Sequence, residues 1–472
     1  MKNKKPYNGK LAFSIIDLAS AMLAWSIFFL FRKLYVDKYP LELAKVVGDK
    51  NFIIAMILLP LMWYLWYDFT GQYYKAYRQS RLKMVFKSFW QSLLGVLAIF
   101  FAFLLDDKVS SYKNYYATFS FLLICHFFFT TLFRVLLLSY IKIQMSKGKI
   151  QVNALIVGTK IKAHQFIEEF QQNPLVYAYN IKGVVGLETN DQSKIGELRH
   201  LGNLNNLEEI CLQEGIEDVI IAVQPEEHNY INPIIISLSS LKVFIRIIPD
   251  LYDILSGSVS MSEVVGAPLI DIYPDAMQPW QQNAKRLLDI LISLLSLFLL
   301  LPFFLLVAII IKLGDGGPVF YSQMRVGRGG TAFRLYKFRS MKDNAEPNGP
   351  ALSSDNDERI TPFGGFMRKW RIDELPQFWN VLKGEMSLIG PRPERQYFIH
   401  EMSKIAPQVK HLQRVKPGLT SLGMVKYGYA QNVDEMIERL KYDIIYIEKR
   451  SLGLDFKIFL YTIITLIRGR GK

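Results

Sequence analysis

The chain has 472 residues, 51% of them hydrophobic, yet carries a formal net charge of +14. That length exceeds one ordinary domain. A basic chain with long apolar runs is not a plain soluble enzyme and faces an anionic membrane surface or anionic substrates. Two cysteines, Cys125 and Cys211, form no CxxC pair, so neither a zinc site nor a disulfide framework is indicated. The six histidines are scattered, with no HxxxH pair, which argues against a His-based metal site.

Four apolar segments come first, near Leu11–Phe31, Phe52–Phe69, Phe89–Leu105 and Tyr115–Ile141. Each is close to the roughly 20 residues needed to span a bilayer. The first is too long for a signal peptide and lacks a small-residue cleavage site. Lys2, Lys4, Lys5 and Lys10 precede it, Lys75, Arg78, Arg81, Lys83 and Lys87 fill the second connection, and Lys142, Lys147 and Lys149 follow the fourth segment. Asp37, Glu42 and Asp49, then Asp106 and Asp107, offset the lysines of the other connections. The positive-inside rule therefore puts both ends of the bundle in the cytoplasm. His126 and Arg134 fall within the fourth segment, where an ionisable group is functional by default. Packing for His126, and pairing or snorkelling for Arg134, are the preferred readings.

From Gln151 the character changes to alternating strands and helices. Asn153–Gly158 reads as a strand entering a glycine turn, Ile161–Gln172 as a helix, and Ile181–Val185, Asp218–Val223 and Val243–Ile248 as further strands. Such alternation implies a parallel sheet. A dinucleotide fold needs G-x-G-x-x-G after the first strand. Gly158-Thr159-Lys160-Ile161-Lys162-Ala163 keeps only the first glycine, so the domain is read as a degenerate Rossmann-like module without NAD, regulatory or dimerising in role.

Leu287–Leu313 is nearly all apolar around a central Pro302, with Lys285 and Arg286 before it and Lys312, Arg325 and Arg328 after. Basic flanks on both sides place both ends in the cytoplasm, and proline breaks the helix ladder. The segment is thus expected to dip into one leaflet and return, with Ser293, Ser296 or protein packing satisfying the freed backbone. A kinked spanning helix is the competing reading.

Gly316–Gly330 then reads as a strand and glycine turn, with Phe333–Phe338 as the returning strand; the turn is not a P-loop. Lys337 and Arg339 follow on that ribbon, facing a phosphate or water. Asp343–Glu358 is polar, with Pro347, Gly349 and Pro350, and reads as a mobile loop or lid. Asp373-Glu374-Leu375-Pro376-Gln377 sets two carboxylates before a proline suited to the first position of a helix. The positive end of that helix favours ionised carboxylates and also a phosphate. A carboxylate beside a phosphate, with cations near, is a layout for covalent phosphoryl transfer. Taken alone, the motif is more often an ordinary charged helix start.

The set Gly317–Met341, Asp373–Pro393 with its Gly390-Pro391-Arg392-Pro393 loop, and Lys416–Thr420 closely resembles the bacterial polyisoprenyl-phosphate hexose-1-phosphate transferases. These are monotopic phosphoglycosyl transferases that begin exopolysaccharide, capsule or O-antigen repeat units. The motifs cover about 285–472, and the N-terminal architecture matches the larger members. The resemblance implies a four-helix transmembrane bundle at 1–145, a Rossmann-like α/β domain at 146–265, a linker at 266–284 and an α+β catalytic domain at 285–472 with a re-entrant hairpin at 286–313. It implies Asp373 as nucleophile on the β-phosphate of a UDP-sugar, UMP as leaving group, and undecaprenyl phosphate as acceptor. Glu374 would help hold Mg²⁺, which prefers one or two carboxylates plus substrate phosphates. Lys337, Arg339, Arg392, Arg395 and Arg414 are the candidate phosphate clamps.

The sequence departs from the family pattern at Trp370-Arg371-Ile372, at Met424 where relatives often carry Gln, and at Leu301 before the hairpin proline. Asp443, Tyr446 and Asp455 fit the family's last helical stretch, and Phe456–Ile467, ending in Arg468, Arg470 and Lys472, reads as an interfacial helix. The expected location is the bacterial inner membrane with catalysis on the cytoplasmic face, as a homodimer with no nucleic-acid partner. Three rival functions remain: a glycosyl transferase releasing UDP, a decayed membrane scaffold, and a dehydratase or epimerase using the middle domain. The intact dyad and Arg392 weigh against the scaffold. The missing glycines and the lack of a Tyr-x-x-x-Lys pair weigh against the last.

Overall fold

In a computed structural model of the chain, the residues described are 9–36, 38, 48–74, 76–104, 112–172, 179–187, 199–238, 241, 243–248, 269–271, 276–342, 345–346, 349–350, 352, 357–428 and 430–467. The basic tail from Arg468, the connections carrying Asp37, Glu42 and Asp106, and much of the 343–358 loop lie outside them. Two compact units result. Met1–Ala154 forms most of the first, and Lys182–Ser260 with Leu269–Lys472 most of the second.

In the first unit, helices α1 (Gly9–Phe31), α2 (Lys50–Phe69), α3 (Arg81–Ile99) and α4 (Tyr112–Ser146) correspond to the four apolar segments. Each, with its terminal turn, is long and apolar enough to cross a membrane. Asp49 and Ser80 cap α2 and α3, each side chain accepting a backbone N–H of the first turn. Phe13, Phe28, Trp63, Val96 and Leu138 are buried together between the helices, while large apolar side chains such as Ile57, Leu94 and Ile124 face outward. A helix apolar all round belongs in lipid.

The bundle also encloses charge. Arg134 Nε and Nη2 donate to the two oxygens of Asp17 at 2.7 and 2.8 Å, and Nη1 donates to Ser88 Oγ at 2.8 Å. The guanidinium lies 4.1 Å from the Tyr67 ring centroid, and Tyr67 Oη is 2.8 Å from His126 Nε2. Arg134 therefore pairs within the bundle rather than snorkelling, and its partner Asp17 was not singled out in the sequence. His126 stacks on Trp63, with centroids 3.7 Å apart.

Strands β1 (Val152–Gly158), β2 (Tyr179–Gly186), β3 (His200–Asn203), β4 (Asp218–Ala222), β5 (Phe244–Ile247) and β6 (Ile270–Asp271) form one sheet in the order β3-β2-β1-β4-β5-β6. The β2–β3 and β4–β5 pairs are parallel, β6 closes one edge antiparallel to β5, and helices α5 (Lys160–Gln172), α6 (Leu207–Gln213) and α7 (Ile231–Leu238) fall between the strands in the chain. The four expected strands match β1, β2, β4 and β5; β3 is too short and polar to read, and β6 lies in a stretch read as linker. Gly158 has a packing reason. A Cβ there would lie 1.8 Å from the Ala222 carbonyl oxygen, which accepts the Thr159 N–H at 3.0 Å. The surviving glycine serves the close approach of β1 to β4.

Helices α8 (Pro279–Leu299) and α9 (Leu301–Asp315) carry the apolar hairpin segment and are bent by 59° at Leu300. The Leu300 N–H is shared between Ser296 O and Phe298 O, and Pro302 sits in the first turn of α9. The break is closed by backbone carbonyls rather than by the Ser293 hydroxyl, which is buried without a hydrogen-bond partner among the described residues. Beyond it, β7 (Phe320–Val326) and β8 (Ala332–Phe338) form an antiparallel ribbon in register from Phe320↔Phe338 to Val326↔Ala332. β9 (Ser387–Ile389) and β10 (Gly418–Thr420) form a parallel pair. Helices α10 (Pro362–Lys369), α11 (Phe378–Lys383), α12 (Gln396–Ile405) and α13 (Leu422–Lys426) surround these pairs in the chain, and α14 (Val433–Lys449) and α15 (Leu452–Ile467) end the described residues.

Candidate active site

The Asp373-Glu374 pair lies in a 3₁₀ turn, Ile372–Gln377, that leads into helix α11 (Phe378–Lys383). The expectation that Pro376 opens the helix is corrected: Pro376 lies inside the 3₁₀ turn, and α11 starts at Phe378. Pro lacks only an N–H, and the tighter turn needs few N–H bonds at its start. Arg371, just before the turn, adopts a left-handed conformation at φ 54°, rare for a non-glycine residue. Such strain clusters at functional sites.

Neighbouring elements hold the turn in place. Asn380 in α11 is fully buried; it donates to the Arg334 carbonyl at 2.7 Å and accepts the Tyr336 N–H at 3.2 Å. That ties α11 to β8, the strand that carries Lys337. At the other end of α11, Arg286 from α8 donates to the Val381 and Leu382 carbonyls at 2.7 and 2.9 Å. Unpaired carbonyls at a helix end favour such a cation. Lys285 reaches the Ile389 carbonyl at 2.8 Å and Asp455 Oδ2 at 2.6 Å, anchoring α8 to β9 and α15. The basic residues read from sequence as topology signals thus also tie α8 to the elements around the dyad.

Both carboxylates are 5% exposed. Lys337 Nζ donates to Glu374 Oε1 at 2.8 Å and lies 3.8 Å from Asp373 Oδ2. Arg392 Nη1 is 3.6 Å and Arg371 Nη1 4.0 Å from Glu374 oxygens. Burial works against ionising Glu374, but Lys337, Arg392 and Arg371 outweigh it and hold the carboxyl well below its usual range. Burial pushes the Asp373 carboxyl up, and the charge on Glu374 adds to that, against Lys337, Arg368 and Arg392. Neighbouring carboxylates driven apart in this way take different roles.

The pair opens on a cavity of about 620 Å³. Lys337, Arg339, Arg392 and Arg395 line it with the dyad. Arg339 is buried against Gly317, where a Cβ would fall 1.8 Å from its guanidinium. Arg395 donates through Nη1 to both Glu346 oxygens at 2.9 Å. Arg414 is not among the lining residues. It donates to Glu448 at 2.6 Å, so the structure does not bring it together with the other clamps. Sequence reasoning missed Arg368, which also lines the cavity and donates to Ser340 Oγ at 2.9 Å, and the charge role of Arg371. The i,i+3 spacing of Arg371 and Glu374 was a readable signal.

Arg392 stands on a pinned loop. The Gly390 N–H donates to Thr420 O at 3.1 Å, the Gly418 N–H to Pro391 O at 2.8 Å, and the Val326 N–H to Glu394 O at 3.0 Å. Its Nη1 also donates to Met424 Sδ at 3.2 Å, so the Met424 departure lies directly on this arginine. Among the described residues no group of three or more His, Cys, Asp or Glu side chains forms a metal cage. A dyad of two carboxylates suits a magnesium ion that takes its remaining ligands from substrate phosphates and water.

The chain is similar to known proteins over most of its length. The family described as bacterial sugar transferase matches residues 280–469, and the CoA-binding domain family matches 72–249. A UDP-glucose:undecaprenyl-phosphate glucose-1-phosphate transferase of Xanthomonas campestris pv. campestris is 30% identical over 346 residues, 71% of this chain and 70% of the relative. One of Klebsiella pneumoniae with the same name is 26% identical over 428 residues, 88% of this chain and 90% of the relative. A UDP-N-acetylgalactosamine-undecaprenyl-phosphate N-acetylgalactosaminephosphotransferase of Aeromonas hydrophila is 40% identical over 224 residues, 48% of this chain and about half (52%) of the relative's length. The chain belongs to the bacterial sugar transferase family.

Proposed function

We propose that this protein transfers a sugar 1-phosphate from a UDP-sugar to undecaprenyl phosphate at the cytoplasmic face of the inner membrane, releasing UMP, as the first membrane step of a surface polysaccharide. The observation that carries the reading is a buried carboxylate pair, split in ionisation and ringed by Lys337, Arg371 and Arg392, at the wall of a cavity of nucleotide-sugar size. The names of the relatives support the donor and acceptor classes, and they carry both glucose and N-acetylgalactosamine.

In this reading an Asp373 oxygen attacks the β-phosphorus. The bond from that phosphorus to the bridging oxygen breaks, and UMP leaves with the bond's electrons. A phosphate oxygen of the lipid then attacks the phosphosugar-aspartate, and the Asp373 carboxylate is regenerated as the lipid diphosphate sugar departs. A carboxylate and a diphosphate repel, so preorganised cations are needed to bring them together. Lys337 and Arg392 hold that charge in place, with Arg339 and Arg395 along the cavity. Glu374 would hold Mg²⁺, which supplies charge neutralisation on the diphosphate when bound. Arg286 and Lys285 fix the hairpin to the dyad, so that a lipid phosphate and a soluble donor meet in one orientation.

Nucleotide release tests the reading. Purified protein in nanodiscs receives Mg²⁺, undecaprenyl phosphate and a panel including UDP-glucose and UDP-N-acetylgalactosamine. UMP release is expected with one donor. UDP release would overturn the assigned chemistry in favour of glycosyl transfer.

A further inference from the structure

Asp443 in α14 is 2% exposed and does not line the cavity. Its Oδ1 accepts the Gly423 N–H at 3.0 Å, and its carboxylate faces the backbone N–H of Arg392 and the Ser421 hydroxyl. One of these segments is the loop that carries Arg392. The other is the short helix Leu422–Lys426 with its cap Ser421, and it carries Met424, whose sulfur takes Arg392 Nη1 at 3.2 Å. The buried carboxylate thus holds the segment whose Met424 meets the Arg392 guanidinium, and it faces the backbone N–H of the same arginine.

Stability does not account for it. Burial pushes the Asp443 carboxyl up to about 6, against the Gly423 N–H, Arg439 on its own helix, Ser421 and the Arg392 N–H. A folded pKa raised above the unfolded one gives stability that is present below the ordinary Asp range and lost as pH rises through about 6. At neutral pH the charge is a net cost to the fold. A carboxylate accepts only, and so suits both N–H groups that face it. An asparagine of the same shape would turn an NH₂ donor on one of them.

We propose that Asp443 is a positioning residue for sugar-phosphate transfer, its carboxylate aiming Arg392 at the dyad without touching substrate. This rests on the reading of the cavity as the donor site.

The test is a double-mutant cycle on the full chain in nanodiscs. Asp443→Asn, Arg392→Ala and the double variant are compared in UMP release and in affinity for UDP with Mg²⁺. Asp443→Asn is expected to unfold no earlier than wild type and to lose about a hundredfold in kcat/KM, the order a small misplacement of a catalytic group costs. In the Arg392→Ala background it should lose nothing further. No loss, or a loss that multiplies fully in the double variant, overturns the proposal. Should Asp443→Asn fail to fold, Ser421→Ala loosens the same segment, and a fully multiplicative loss there overturns it equally. If wild type binds UDP but releases no UMP from any donor, the assigned reaction fails while the cycle, read in UDP affinity, still decides the positioning role. If wild type does not bind UDP, both fall.

Discussion

Lys337 Nζ lies 2.8 Å from Glu374 Oε1 but 3.8 Å from Asp373 Oδ2. The lysine thus favours one carboxylate of the dyad. The closer partner is held ionised, while burial dominates at the other. In the proposed reaction this asymmetry would suit Glu374, the fixed anion, to a metal. Asp373, whose charge is less stabilised, would be the group that attacks.

Lys337→Met should therefore do more than remove a phosphate contact. Without the ammonium, two buried carboxylates face each other and the pair retains a proton. Turnover is expected to fall by about 10²–10³, the usual cost of one lost transition-state donor. Lys337→Arg should recover part of it. UMP release at saturating and limiting donor checks this, and an unchanged kcat/KM in Lys337→Met would remove Lys337 from the site.

The acid limb of the pH profile should report Asp373. In the proposed reaction only its ionised form attacks, so kcat/KM should rise with pH until Asp373 is deprotonated, at a pH above the ordinary aspartate range. Glu374 contributes to that upward shift, so Glu374→Gln should move the limb to lower pH even as it lowers the maximum rate. Asp443 titrates elsewhere in the fold and its limb should not move. The stability sign is the reverse of activity. Because the folded pKa of Asp373 is raised, stability from this group is present at low pH and lost as pH rises through that pKa. Asp373→Asn should abolish turnover and the covalent intermediate while melting no lower than wild type at neutral pH. A lower melting temperature would contradict the raised pKa.

Much of this was legible because it is local. The four spans, the ribbon carrying Lys337 and the loop carrying Arg392 follow from apolar run length, alternation and proline placement. What escaped reading depends on partners far apart in the chain. Arg414 looked like a clamp by charge alone, but Glu448 claims it. Asp17 drew no reading from the sequence, and only the fold sets it beside Arg134. The Asp443 network joins three segments that no spacing rule connects. Gly158 shows the converse: a residue resembling the remnant of a nucleotide motif is required by backbone packing against Ala222.

The Asp17–Arg134 pair gives a prediction for the bundle. Removing one partner of a buried pair strands the other charge, at about 3–5 kcal/mol. Arg134→Leu alone should lower the melting temperature of the protein in nanodiscs markedly. Adding Asp17→Leu should recover much of the loss, since a well-packed apolar pair often matches a buried ion pair. A double variant as unstable as the sum of the singles would mean that the two residues are not energetically coupled.

The hairpin prediction turns on Pro302. The 59° bend at Leu300 leaves α9 starting afresh, with Pro302 in its first turn where a missing N–H costs nothing. Alanine there restores a donor for a carbonyl of α8 and lets the two helices join into one. Pro302→Ala should then give a straighter helix that reaches deeper into the bilayer. A cysteine replacing Leu301, with Cys125 and Cys211 removed, reports the depth of the bend. In the re-entrant reading, membrane-impermeant maleimide applied from the periplasmic side reaches it in Pro302→Ala and not in the Pro302 chain. Equal labelling of the two would mean that the proline does not set the depth. The bend would then have to be held by the struts Arg286 and Lys285 against α11 and β9, and the same accessibility assay on Arg286→Ala would reveal it.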